Sequence, residues 1–156
     1  MANTILGVFG MMGRLGQNVR EKQGLAYYAY SRMHGGLGPS PWYISTGVAP
    51  DKVEKAIASI LQEVERLRME PIPEEELADS QAFRRGSLPV GLETNDGLVS
   101  VIIDMELYDL GFDYLANLPA KINAMTPVTV QAAAQKYLST EQIVIAIAGP
   151  PSEEFT

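Results

Sequence analysis

The segment over residues 14–31 constrains the fold of this chain most strongly, because it predicts a helix that passes directly into a strand. Gly24 is a plausible C-terminal stop for the helix, and the residues after it are alternating and aromatic, as in a strand. A strand that begins where a helix ends can bring Arg20 and Tyr27 close together. A guanidinium and a phenol at one place suit a site that holds a peptide carbonyl or stabilises an oxyanion. The helix is predicted over residues 11–22 from apolar residues at helical spacing: Met12, Leu15 and Val19.

A β-hairpin is predicted next, from two segments rich in Tyr, Ile, Thr and Trp over residues 25–33 and 42–48. The loop between them, residues 34–41, contains three Gly and two Pro, which is typical of a turn-forming tip. A further strand is predicted from the β-branched run at residues 143–148, which Gly149 and a proline follow. Such a run predicts a strand buried on both faces, in the middle of a sheet.

Two helices are predicted after the hairpin. The first opens at Pro50 and has apolar residues in a three-four spacing: Val53, Ile57, Ile60, Leu61, Val64 and Leu67. The second begins at the acidic residues 74–76, which favour a helix N-terminus through the helix dipole. The arginines at 84–85 suit its other end, and Pro89 and Gly91 predict a break after it.

Three further helices are predicted before the last strand. Thr94 can cap one that stops at Gly111, and its apolar face is Leu98, Val101, Ile102, Met105 and Tyr108. A shorter helix is predicted over residues 113–124. Thr126 offers an N-cap to the next, with Pro127 at the first helical position; its inner face is Val130, Ala134, Tyr137 and Leu138. Together these elements predict an α+β fold, with helices packed on one face of a mainly antiparallel sheet.

Size and charge limit the class of protein. A chain of 156 residues has the size of one domain, and no repeat or linker divides it. The net charge of −7 argues against a nucleic-acid surface, which needs clustered Lys and Arg. No apolar run approaches the roughly 20 residues of a membrane span. We therefore expect a soluble protein, with the cytoplasm slightly preferred over a periplasmic or secreted parent.

Residues 3–7 are typical of the last turn of a helix, so we expect a chain cut from a longer one.

Residue types exclude several kinds of catalytic site. The chain has no Cys, which rules out disulfides, thiol catalysis and Cys-based zinc sites. His34 is the only histidine and lies in the hairpin tip, so neither a two-histidine zinc site nor a serine triad is expected. The carboxylates of residues 74–76 point in different directions on a helix and are expected to be solvated. The glycines between residues 7 and 16 lack the spacing of a phosphate-binding loop.

The segment REKQGLAY, residues 20–27, resembles the Arg-Glu-x-x-Gly-Leu-[Ala/Gly]-Tyr segment in the C-terminal domains of the M16 zinc peptidases, the pitrilysin, insulinase and mitochondrial processing peptidase type. The resemblance continues through TGVAP at 46–50, PEEEL at 73–77, Thr-Pro at 126–127 followed by AAAQKYL, and the closing Ile-Val strand. It is weaker upstream, where Gly13 and Gly16 stand in place of a Ser and an aromatic residue of the family pattern.

The resemblance implies the M16 peptidase/LuxS-like metallohydrolase fold, with residues 1–156 as a single C-terminal, non-zinc domain that lacks its first strand or two. It also implies a partner: a zinc-bearing domain or subunit that closes with this one around an extended peptide or unfolded segment. Arg20 and Tyr27 are then expected to hold that substrate in trans, at a zinc site built elsewhere from a His-x-x-Glu-His helix. No metal or cofactor is expected in this chain, which alone should be inactive.

Alternatives stay open at two levels. The family also contains chains that have lost their metal and only recognise substrate or build an assembly, so a non-catalytic binding or scaffold subunit is the second hypothesis, and a homo-oligomer is a further option. At the level of residues, Arg20 can instead pair locally with Glu21, while Tyr27 is an ordinary half-buried strand residue.

Overall fold

The computed structural model describes residues 1–150. The chain begins with two π-helices, which are wider than an α-helix, at Thr4–Val8 and Gly16–Lys22, with a 3-10 turn at Gly10–Met12 between them. The remaining elements follow in chain order after the second π-helix, with another 3-10 turn at Pro50–Lys52. They are β1 (Ala26–Met33), β2 (Trp42–Val48), α1 (Val53–Met69), α2 (Glu74–Gly91), α3 (Asn95–Leu107), α4 (Tyr114–Asn123) and α5 (Pro127–Tyr137).

The predicted hairpin is confirmed as an antiparallel sheet formed by β1 and β2. Its register pairs Tyr30 with Ser45 and Met33 with Trp42, which leaves residues 34–41 for the long tip. With helices packed against this sheet, the α+β class is confirmed. None of the helices between residues 1 and 150 has both the length and the apolar character required to span a bilayer.

The hydrophobic core lies where the two π-helices and β1 meet α1 and α5. Each element contributes buried apolar side chains: Ile5, Leu6, Leu15, Val19, Ala29, Ile60, Val64, Leu67, Val130, Ala134 and Leu138. Burying one Leu or Val fully contributes about 1.5–3 kcal/mol. Two residues predicted to point inward are instead exposed, Met12 by 58% and Tyr137 by 65%. Met12 belongs to a separate turn, and Leu138 takes the inward position in place of Tyr137.

α2 extends further than the sequence predicts, and the predicted break at Pro89 is wrong. The helix runs through Gly86 and Pro89 to Gly91, so the arginines at 84–85 lie inside it. Proline in a helix interior costs about 3 kcal/mol because it removes a hydrogen bond and crowds the preceding turn. Pro89 lies in the last turn of α2, so the helix continues only two residues beyond it, and the Leu92 N–H donates to its carbonyl at 3.0 Å.

Both threonine N-caps are confirmed. The Thr94 hydroxyl accepts a hydrogen bond from the Gly97 N–H at 3.0 Å. Thr126 accepts from the Thr129 N–H at 3.2 Å, while the Thr129 hydroxyl accepts from the Thr126 N–H at 2.9 Å, which forms a reciprocal capping box. The positions of α3 and α5 were therefore readable from local sequence.

The predicted central strand at residues 143–148 is wrong, since this run forms no strand among residues 1–150. Its larger side chains are exposed, by 39% at Ile143 and by 96% at Val144. A strand needs a neighbour for its backbone hydrogen bonds, and β1 and β2 pair with each other.

The predicted inner face of α3 is likewise not packed. α3 begins and ends close to where the sequence places it, yet none of its residues is buried. Leu98 is 43% exposed and Ile102 is 53% exposed. The helix forms from its cap and its propensity, but nothing between residues 1 and 150 covers its apolar side.

Candidate functional site

Arg20 is carried by the second π-helix. Val19, the residue before it, is fully buried and anchors this helix to the core, so Arg20 follows at the boundary with solvent. The Arg20 side chain is 33% exposed, and its Nε lies 3.7 Å from Glu21 Oε1. At that distance the ion pair is loose, and surface pairs of this kind contribute about 0–1 kcal/mol.

The chain leaves this helix through a tight turn at Gly24. Gly24 has φ +58°, a left-handed conformation that L side chains rarely adopt. The Gly24 N–H donates to the Arg20 carbonyl at 3.0 Å, and the Leu25 N–H donates to the Val19 carbonyl at 2.9 Å. The Lys52 ammonium reaches the Gly24 carbonyl at 3.4 Å. The turn predicted from Gly24 is thus present, and it sends the chain back along the helix that it has just left.

Tyr27 is placed by a β-bulge at the start of β1. Ala26 pairs with Val48 and Tyr28 with Gly47, so Tyr27 is an extra residue without a partner on β2. In a regular strand Tyr27 would share the buried face of Ala29. The bulge turns it outward, and its side chain is 80% exposed. The alternative of a half-buried strand tyrosine is therefore wrong.

The turn and the bulge together bring the predicted pair into contact. The Arg20 guanidinium carbon lies 4.9 Å from the centre of the Tyr27 ring, a cation–π arrangement. Such contacts contribute about 0.5–1 kcal/mol at exposed sites. Among the described residues, neither the Tyr27 hydroxyl nor the Arg20 guanidinium makes a hydrogen bond, so both keep donors that face solvent. This arrangement can donate hydrogen bonds to a carbonyl or carboxylate oxygen.

A buried polar network supports the helix that carries Arg20. Glu63 of α1 is 2% exposed and accepts hydrogen bonds from Asn18 Nδ2 at 2.5 Å and from Arg66 Nη1 at 3.0 Å. Gln23 Nε2 donates to Asn18 Oδ1 at 2.7 Å and to Ser59 Oγ at 3.0 Å. The negative charge of Glu63 raises the pKa of Arg66 above its usual value. Residues on both sides of Arg20 are therefore tied to α1.

Sequence reasoning missed Glu63, although a signal was present. Ser59 and Glu63 lie four residues apart and share the spacing of the buried residues Ile60, Val64 and Leu67. A carboxylate inside an inward-facing stripe predicts a polar partner from another element, because a buried charge must be paired. Here Asn18 is the polar partner from another element, and Arg66 on the same helix pairs the charge.

The other residues weighed from sequence lie apart from the pair. His34 is in the exposed hairpin tip and stacks on Tyr43, with ring centres 5.6 Å apart. The prediction that Glu76 is solvated is wrong, because Arg14 donates to both of its carboxylate oxygens at 2.8 and 2.7 Å. Glu74 and Glu75 are exposed. Over residues 1–150, no three side chains of metal-ligating type come together.

A family model described as the peptidase M16 inactive domain matches residues 1–83. The chain belongs to this M16 family. The matched residues include both π-helices and the hairpin, so the Arg20–Tyr27 pair lies within the match. The resemblance drawn from REKQGLAY is confirmed, and with it the assignment to a family of zinc metalloproteases.

Individual relatives agree with the family assignment. Over 136 residues the chain is 31% identical to an uncharacterised zinc protease of Streptomyces coelicolor, a match that covers 87% of this chain and 29% of that protein. An M16 inactive domain from Pseudomonas fluorescens has a TM-score of 0.80 at 27% identity, over 88% of this chain and 33% of that chain. The fold, in addition, is similar to that of a Bordetella parapertussis structure described as an inactive peptidase domain, with a TM-score of 0.71 at 20% identity, over 90% of this chain and 75% of that chain. The chain spans 29% of the length of this Streptomyces coelicolor protein and 36% of a second curated relative, an uncharacterised zinc protease of Bacillus subtilis.

Proposed function

We propose that this domain holds an extended peptide beside the zinc site of another domain or subunit, where the peptide is cleaved. Arg20 and Tyr27 are the residues that contact the peptide. Membership of the M16 inactive-domain family and similarity to a zinc protease support the reaction class. The observation that carries the proposal is the exposed contact between the Arg20 guanidinium and the Tyr27 ring, at 4.9 Å.

The two side chains supply different donors. The Tyr27 hydroxyl donates to the carbonyl oxygen of the peptide bond, and the Arg20 guanidinium makes a charge-assisted contact with the same segment. A hydrogen bond that strengthens as negative charge develops on that oxygen lowers the barrier, by about 3–4 kcal/mol for one well-placed donor. The ring contact limits the rotamers of both groups, so less side-chain entropy is lost when the peptide binds.

Zinc, in this proposal, is bound outside this chain. The donor set here does not suit it, because the chain has one His and no Cys, and a peptidase zinc site needs three protein ligands with an open position. This domain contributes substrate binding and orientation, and the other domain contributes the metal and the general base.

The test is to measure peptide hydrolysis by the complete gene product, with zinc present, before and after Tyr27→Phe. Phe keeps the ring and removes only the hydroxyl. We expect kcat/KM to fall about 100-fold, mostly in kcat, because the lost hydrogen bond acts on the developing oxyanion. Arg20→Ala should lower kcat/KM about 10- to 100-fold, as expected for a lost hydrogen bond to a charged group of about 1.5–3 kcal/mol.

A matched control lies on the same strand. The Arg32 guanidinium stands 5.2 Å from the Tyr30 ring, a second cation–π pair with similar geometry. Tyr30→Phe and Arg32→Ala should leave kcat/KM within about twofold of the unmodified protein. Equal losses at both pairs, or no loss at Arg20 and Tyr27, would remove the pair from the mechanism.

The second hypothesis, a non-catalytic binding or scaffold subunit, predicts a different outcome. The complete product would then bind an extended peptide without cleaving it, and Arg20→Ala would weaken binding with no turnover to measure. Fluorescence anisotropy with a labelled peptide separates this result from loss of catalysis.

A further inference from the structure

A cavity of about 270 Å³ lies between the start of the chain and the N-terminal half of α2. The first π-helix and the 3-10 turn at Gly10–Met12 form one wall, and the first two turns of α2 form the other. A water molecule occupies about 30 Å³ of the liquid, so the cavity holds about nine waters or one small molecule. Neither Arg20 nor Tyr27 lines it.

The two walls of this cavity differ in chemistry. The apolar wall, from the start of the chain, consists of Ile5, Phe9 and Met12. Phe9 is held against Phe83 of α2, with ring centres 4.5 Å apart. The acidic wall consists of three carboxylates of α2: Glu75, Glu76 and Asp79. A ligand that fills the cavity must therefore present an apolar body to one wall and a polar group to the other.

The negative charge of the acidic wall is only partly balanced. Arg14 pairs with Glu76 and neutralises it. Among residues 1–150, no Lys or Arg forms an ion pair with Glu75 or Asp79. These two residues lie four positions apart on one helix, a spacing at which like charges repel. A cation held between them removes that repulsion.

Ser80 gives a second, independent sign that a ligand belongs in the cavity. It lines the cavity beside Asp79, it is 1% exposed, and its hydroxyl has no hydrogen-bond partner in the described part of the chain. Buried hydroxyls are nearly always paired, and a serine inside a helix usually donates to the carbonyl four residues earlier or faces solvent. The oxygen of a hydroxyl group can accept a hydrogen bond from an ammonium group. An ammonium ion in the cavity therefore pairs a group that the fold itself leaves unpaired.

Other classes of ligand suit these walls less well. An anion would face unpaired carboxylates. A divalent metal ion needs several oxygen ligands, yet both oxygens of Glu76 already accept from Arg14, and no three metal-ligating side chains come together within residues 1–150. A neutral apolar molecule would leave the Ser80 hydroxyl unpaired and would remove water from the carboxylates without replacing it. A cation with an apolar body satisfies both walls.

We propose that this cavity is a binding site for a small organic cation, an ammonium group on a short apolar body. The ammonium group binds between Glu75 and Asp79 and donates to the Ser80 hydroxyl, while the body packs on the apolar wall. A free amine and the lysine side chain of a peptide share this chemistry. The proposal does not depend on peptide cleavage.

Titration calorimetry and saturation-transfer difference NMR on the complete gene product test the site, with 2-phenylethylamine as the probe. We expect a Kd of about 1 mM, usual for a ligand of this size, and weaker binding as salt is raised. The neutral 2-phenylethanol has the same shape and should bind at least about tenfold more weakly. No binding of the amine, or equal binding of the alcohol, overturns the proposal. Displacement of the amine by MgCl2, beyond the effect of KCl at the same ionic strength, also overturns it, because the site would then bind a metal ion.

A blocked lysine, N-acetyl-lysine amide, separates the two sources of the ammonium group. Tighter binding of 2-phenylethylamine assigns the site to free amines. Tighter binding of the blocked lysine assigns it to a lysine side chain. Both results support a cation site, and failure of both probes to bind contradicts it.

Variants in α2 provide the matched control. Glu75→Gln and Asp79→Asn should each raise Kd about fivefold. Glu74→Gln removes the same charge from the same turn of the helix but outside the cavity, and should change Kd by less than about twofold. An equal effect at Glu74 contradicts the proposal.

Ser80→Ala separates the ligand contact from a structural role. Kd should rise about tenfold because a hydrogen bond to a charged group is lost. Tm of the ligand-free protein should rise, because the variant removes an unpaired buried hydroxyl and alanine favours the helix. An unchanged Kd in this variant overturns the role of Ser80 in binding, and with it the second sign on which the proposal depends.

Discussion

At the scale of single residues, the position of Arg20 depends on side chains that lie outside the Arg20–Tyr27 pair. The Asn18 amide joins Glu63 and Gln23, and so holds the helix residues on both sides of Arg20. Such a network is stable only while every buried member is satisfied. Loss of the Asn18 amide leaves the Glu63 carboxylate, which is 2% exposed, with Arg66 as its remaining hydrogen-bond donor.

Asn18→Ala should therefore destabilise the protein by about 1.5–3 kcal/mol, the usual contribution of a hydrogen bond to a charged group. Urea denaturation monitored by circular dichroism measures the change. Gln17→Ala is the matched control, because Gln17 is exposed and its amide reaches only the Met12 carbonyl, at 3.1 Å. We expect the control to lie within about 0.5 kcal/mol of the unmodified protein. Similar losses in both variants would show that the network contributes nothing of its own.

The residues of the site were partly readable from sequence. Arg20 and Tyr27 were predicted to meet, and the 4.9 Å contact agrees with that geometry; their role in substrate binding stays a prediction. The exposure of Tyr27 was not readable, because alternation places it on the face of buried Ala29. Only the extra residue between Ala26 and Tyr28 in the β1–β2 register reverses that orientation.

At the scale of elements, short-range sequence signals predicted the ends of helices and strands correctly where a glycine, an N-cap residue or a turn marks them. Gly24 ends a helix, Thr94 and Thr126 start two others, and the hairpin has the predicted strands. The same signals failed at Pro89, which lies inside the last turn of α2 instead of after the end of the helix. A breaker residue is therefore informative only when its place in the helix is known.

Two glycine substitutions test this dependence on context. Gly24→Ala should destabilise the protein by about 1–2 kcal/mol, because its φ of +58° is unfavourable for an L side chain although no atom lies within 4 Å of the added Cβ. Gly86→Ala, in α2 and equally open, should stabilise it by about 0.5–1 kcal/mol through helix propensity. Thermal unfolding compares the two. Shifts of the same sign would contradict the assignment of backbone strain to Gly24.

At the scale of the whole molecule, stability depends on contacts between distant parts of the chain. Arg14, whose side chain is 9% exposed, forms a bidentate pair with Glu76, which lies 62 residues away on α2. The pair fixes α2 to the segment that leads into the second π-helix. Planar, two-bond pairing of this kind is both directional and strong.

Glu76→Ala should destabilise the protein by about 3 kcal/mol, because it leaves the buried Arg14 guanidinium without its carboxylate. Glu75→Ala is the control: Glu75 stands on the same helical turn and is exposed, and should change the free energy of unfolding by less than about 0.5 kcal/mol. Chemical denaturation of both variants gives the comparison. A small change at Glu76 would mean that solvent replaces the carboxylate at little cost.

The resemblance of the segment REKQGLAY identified the family. The sequence by itself also determined the α+β class, the hairpin, the start of most helices and the residues of the Arg20–Tyr27 pair. These follow from spacing, caps and turns, which act over a few residues and are present in the letters. Tertiary structure alone decided that Glu76 and Glu63 are paired, that Tyr27 is exposed, and that residues 143–148 and α3 lack cover. Burial and side-chain pairing depend on which residues the rest of the chain places nearby. A local pattern therefore predicts the secondary structure that suits a segment, but not whether that segment is covered or paired.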